Sequence, residues 1–94
     1  MRQETRQAVR AIKERVRRDA YTLAEPTLAE MAAEEIDAAD LKRAVSTARL
    51  VGLFRTGPRR TGYILLGFGM DEEAIEVLCS IGRSRVFIAG ASRL

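Results

Sequence analysis

The sequence predicts one domain, mainly α with a small β-hairpin, and three observations carry that expectation. Apolar residues recur at three- and four-residue steps through the first half, and capping residues punctuate those stretches. In the second half, two β-prone runs bracket a turn rich in glycine and proline. With 94 residues, 47% of them apolar, the chain can build a single modest core. The formal net charge of +3 biases the chain toward polyanionic partners, a small tilt by itself. No internal repeat, low-complexity tract or linker interrupts the pattern.

Residues 2–20 read as the first helix, with Val9, Ile12, Val16 and Ala20 forming its apolar seam. Beside that seam, Arg2, Arg6, Arg10, Lys13 and Arg17 fall within a stripe of roughly 80° on the helical wheel, while Glu4, Glu14 and Asp19 lie elsewhere. Pro26 disfavours helical geometry at Glu25, so a new element is expected there. Thr27 is placed to cap a second helix, with Glu30 completing a capping box and Leu28, Met31 and Ala32 turned inward to about Glu35. Asp37 and Asp40 repeat that spacing before a third helix, whose stripe is Leu41, Ala44, Val45 and Ala48 and which Gly52 ends. Leu53–Thr56 and Tyr63–Leu66 then read as strands joined by the basic loop 57–62. Asp71 can cap a fourth helix, with Glu72 and Glu73 in its first turn and Gly82 at its end. Val86–Ala89 reads as a short C-terminal strand.

On these residues the chain resembles a winged helix-turn-helix domain of the bacterial transcription-regulator kind. The segment Thr27-Leu28-Ala29-Glu30-Met31-Ala32 is similar to the opening of that family's positioning helix. Ile36-Asp37, followed by Leu41, Ala44, Val45 and Gly52-Leu53-Phe54, resembles its recognition helix and closing signature. The resemblance implies a single domain over 1–94, with a three-helix core, helix-turn-helix at 27–51, a wing at 53–67, and flanking helices at 1–20 and 71–82. Three departures stand out. The turn between the second and third helices lacks the usual Leu-Gly pair and is one residue short, Ala48 replaces a larger core residue, and Leu50 and Val51 occupy positions that are commonly polar. Cover by the fourth helix or by a second subunit would account for those two.

What the resemblance implies is sequence-specific binding of double-stranded DNA by a small transcriptional regulator of bacterial, phage or plasmid origin, acting as a homodimer paired through its first or fourth helix. Lys42, Arg43, Ser46 and Thr47 would face the major groove, Arg59 and Arg60 would reach the flanking backbone from the wing, and Arg49 and Arg55 would complete the DNA-binding set. Arg2, Arg6, Arg10, Lys13 and Arg17 would add phosphate contacts. The alternative is a module of the same fold used for protein or RNA contact within a larger assembly, because a fold does not fix a function.

Charge distribution supports a basic face independently of the resemblance. Residues 21–40 carry Glu25, Glu30, Glu34, Glu35, Asp37 and Asp40 and no base, whereas 41–69 carry Lys42, Arg43, Arg49, Arg55, Arg59 and Arg60 and no acid. Other chemistries find little footing. The chain has no histidine, which removes the commonest general base and metal ligand, so neither an enzyme nor a metal or cofactor site is expected. Gly67-Phe68-Gly69 lacks the third glycine of a dinucleotide turn, and acids follow it. The adjacent pairs Glu34/Glu35 and Glu72/Glu73 would diverge on a helix. No small-molecule ligand is inferred. Cys79 stands alone, no apolar run approaches the roughly 20 residues of a membrane span, and the start of the sequence is charged, so a cytoplasmic setting is expected.

Overall fold

The computed structural model describes residues 3–94, and Arg2 of the basic stripe lies outside them. Ile12 and Val16 are buried as expected in α1 (Gln3–Arg17). The helix stops short of residue 20 because Asp19 takes a left-handed backbone (φ 63°) and the Ala20 N–H turns back to the Arg15 carbonyl. A strand, β1 (Tyr21–Leu23), follows; it is too short to show a period in sequence.

The second helix, α2 (Glu25–Ala33), starts earlier than expected and is not capped by Thr27. Pro26 sits in its first turn, where a missing N–H leaves no bond unmade. Thr27 is instead buried, and its hydroxyl donates to the Ile88 carbonyl at 3.0 Å. The capping box of α3 (Ala38–Thr47) does form: the Asp40 N–H donates to the Asp37 carboxylate at 2.8 Å, and the Asp37 N–H to that of Asp40 at 3.2 Å. This helix ends at Thr47, well before Gly52, which lies inside a strand.

The second half overturns the expectation of a mainly α molecule with a small hairpin. Four strands, β2 (Arg49–Gly57), β3 (Arg60–Phe68), β4 (Ala74–Ile81) and β5 (Val86–Arg93), run as an antiparallel meander. With β1 parallel to β5 they make a five-stranded mixed sheet in the order β1-β5-β4-β3-β2. The protein is a small α+β domain of three helices on that sheet. There is no fourth helix at 71–82. The Asp71 carboxylate accepts from the Glu73 N–H two residues on, at 3.1 Å, and Glu72 is left-handed (φ 67°), so the acids form a turn. Beyond it Ile75, Val77 and Cys79 are buried at every second position, the period of a strand. The loop between β2 and β3 is also tighter than the six residues expected: only Pro58 and Arg59 lie outside the ladder, with Arg59 left-handed (φ 64°).

All three helices contribute to one core against a single sheet face, where Ile12, Val16, Leu41 and Val45 join Leu65, Ile75, Val77 and Ile88. The α3 backbone approaches β3 closely at Gly67, where a Cβ would stand 1.8 Å from the Ala44 carbonyl oxygen. The two sheet edges differ. Along β5, β1 covers only Val86–Ile88, and α2 takes over with Thr27, Glu30 and Glu34, which share one helical face. Glu30 accepts from the Ala91 N–H and Glu34 from the Arg93 N–H, both at 2.9 Å. This side-chain ladder satisfies amides that a neighbouring strand would otherwise take. On the far side β2 is an edge strand.

Candidate nucleic-acid interface

The third helix projects Lys42, Arg43, Ser46 and Thr47 away from its buried Leu41, Ala44 and Val45, as the sequence implies. Most of these side chains are engaged within the molecule. Lys42 Nζ lies 2.8 Å from the Asp19 carboxylate, and Arg43 lies 2.7 Å from Glu72 while also donating to the Gly69 carbonyl at 3.2 Å. The Thr47 hydroxyl accepts from the Phe68 N–H and donates to the Arg43 carbonyl, both at 2.9 Å, which ties the helix end to β3. The exposed Ser46 hydroxyl also donates to Arg43 O at 2.9 Å.

The basic residues of α1 are differently placed. Arg6, Arg10, Lys13 and Arg17 stand at spacings of four, three and four residues, so they form one row. With Val9, Glu14 and Ser46 they line an open groove of about 390 Å³ where α1 meets the end of α3. Lys13 reaches across to donate to the Ser46 carbonyl at 3.4 Å. Glu14 is the one acid in the groove; it is bound by Arg17 at 2.6 Å, and that hydrogen bond holds its carboxyl below the ordinary glutamate value. Among the described residues Arg6 and Arg10 have no ion-pair or hydrogen-bond partner. Like charges at such spacings cost a helix about 0.2–0.5 kcal/mol per pair. A polyanion laid along the row would reverse that cost.

The hairpin extends the same band. Glu4 and Thr5 of α1 line a pocket of about 290 Å³ with Leu53, Thr61 and Tyr63, so the start of the helix lies beside β2 and β3. Arg55 pairs in register with Thr61 and therefore lies on the helix side of the sheet, with Arg59 and Arg60 exposed at and beside the tip. Arg83 was not expected to belong here. It sits in the β4–β5 turn, which the meander brings to the same end of the sheet as Pro58–Arg59, and the reading of 71–82 as a helix concealed this. Arg49 falls outside the band: it pairs with Leu66 on the face opposite the helices.

Two titrating groups report on rigidity rather than chemistry. The Asp40 carboxyl is nearly buried and held below its usual range by the N–H groups of Met70 and Asp37. Burial pushes the Cys79 thiol up to about 12, so it stays protonated. Among the described residues every buried side-chain nitrogen and oxygen has a hydrogen-bond partner, and no helix is long and apolar enough to cross a membrane. No protein family, curated protein or solved structure matches this chain.

Proposed function

We propose that this domain binds double-stranded DNA, chiefly through phosphates, along α1 and the hairpin tip, and serves in the cytoplasm as a small DNA-associated regulator. The observation that carries this reading is the α1 row, in which, among the described residues, Arg6 and Arg10 are unpaired beside a groove whose acid, Glu14, is already bound by Arg17. Each cation set against a phosphate releases condensed counterions and contributes affinity without reading sequence. Specificity then rests on the exposed end of α3, at Ser46, and on exchange of Lys42 and Arg43 from surface ion pairs, which are worth at most about 1 kcal/mol each. The test is binding of a labelled duplex across a salt series, with single-stranded DNA, RNA duplex and competitor sequences as comparison arms. Tighter binding to duplex DNA with a steep salt slope supports the reading. Equal binding to all polyanions, or none at low salt, overturns it.

A second reading, a protein-contact module in a larger assembly, is favoured by one feature: the sheet face away from the helices carries Ile64, Leu66, Leu78 and Phe87, with none of the described helices over it. Recovery of a stable protein partner together with loss of DNA binding would select it.

A further inference from the structure

An antiparallel sheet with one solvated face alternates apolar and polar residues along each strand. Here the alternation fails. Register places the residues opposite the core in three cross-strand rows: Arg49, Leu66, Glu76 and Ser92; Gly52, Ile64, Leu78 and Gly90; Phe54, Gly62, Ser80 and Phe87. Only Arg49 and Glu76 in these rows are charged, and among the described residues neither makes an ion pair. Strands about 4.8 Å apart and rows two residues apart make this a patch on the order of 400 Å² in projection. That is about as much as a monomer leaves exposed, and two such faces approach the ~1,000 Å² of a specific interface.

We propose that this face is covered by a second copy of the chain, packed sheet on sheet about a two-fold axis running along β3. The two charges supply the argument for a copy rather than another partner. They lie in one row, one strand to either side of Leu66, with opposite signs. Rotation about an axis along β3 carries β2 of one copy over β4 of the other, so each Arg49 meets the other copy's Glu76 and two equivalent ion pairs form. The same rotation sets Ile64 and Leu66 against their own copies and places Leu78 over Gly52, which has no side chain to obstruct it. Such self-complementarity is what a two-fold interface demands. The helices and the cations of α1 remain on the outside, so this assembly stands or falls independently of DNA contact by α1.

The experiment is sedimentation equilibrium without DNA at micromolar to tens-of-micromolar chain, on the wild type, Arg49→Glu, Glu76→Arg and the double reversal. The wild type is expected to dimerise. Each single reversal sets like charges opposite one another and is expected to weaken the dimer about tenfold or more, and the double reversal to restore it to within about threefold. Circular dichroism checks that each variant is folded. A second arm needs no charge change: Ile64→Cys, in a chain whose own Cys79 is buried, is expected to give a dimer with a short bis-maleimide. A monomeric wild type, single reversals with unaltered association, a folded double reversal that stays monomeric, or an uncrosslinked Ile64→Cys chain each overturn the proposal.

Discussion

Single residues in this molecule hold elements together across long stretches of chain, and Asp40 is the clearest case. Its carboxylate accepts from the Met70 N–H at 2.9 Å as well as from Asp37, so it joins the start of α3 to the turn before β4. Those amides favour the ionised form, so its value in the folded protein lies below that in the unfolded chain. The stabilisation is therefore complete above the unfolded value of about 4 and is lost as pH falls through the lower folded one. Asp40→Asn is expected to cost about 1–3 kcal/mol at neutral pH and to flatten the loss of stability below about pH 4, read by denaturant titration across pH. A variant with unchanged acid sensitivity would contradict this role. Gly67 is equally specific. Gly67→Ala must push α3 off β3 and is expected to destabilise by about 1–3 kcal/mol, whereas Gly57→Ala, with open space around it, should not show this clash. Thermal melts of both variants make the comparison.

Among the elements, what could be read in the sequence depended on whether the signal was local. The Asp37–Asp40 box and the Ile12–Val16 part of the α1 seam are formed by neighbours in the chain and appear where the sequence puts them. The strands flanking Pro58 are found at the expected place but extend well beyond Leu53–Thr56 and Tyr63–Leu66. β4 was hidden because Asp71, Glu72 and Glu73 make an acidic turn that looks like a helix start, while its outward Glu76, Leu78 and Ser80 give no clean alternation. Thr27 and Glu30 form a cap-like pair in sequence, yet both reach β5, whose register with α2 no local pattern encodes. In the candidate interface the α1 row was legible on a helical wheel. The engagement of Lys42 and Arg43 was not, because Asp19 and Glu72 lie 23 and 29 residues away. The role of α2 as an edge cover is testable: Glu30→Ala and Glu34→Ala should accelerate hydrogen exchange at the Ala91 and Arg93 amides, each at a cost of about 1–3 kcal/mol. Unchanged protection of those amides would leave α2 without that role.

At the scale of the whole molecule, the sheet divides the surface into two faces of opposite character. The helix face carries the cationic row of α1, continued by Arg55 toward the hairpin tip, and the other face is largely apolar, with Arg49 and Glu76 in one cross-strand row and Arg60 beside the tip. This division moves the proposed DNA contact from α3, where the resemblance implied it, to α1, where, among the described residues, Arg6 and Arg10 stand without internal partners. The measurement that tests this most directly compares two double variants on one labelled duplex: Arg6→Ala with Arg10→Ala, and Lys42→Ala with Arg43→Ala. Losing two phosphate contacts from α1 should weaken binding to every duplex and reduce the slope of log affinity against log salt by about 1.8, while the α3 pair should change that slope by less than about half as much. A full slope in the α1 variant, with the loss appearing only in the α3 variant, would contradict the account and return the interface to the third helix.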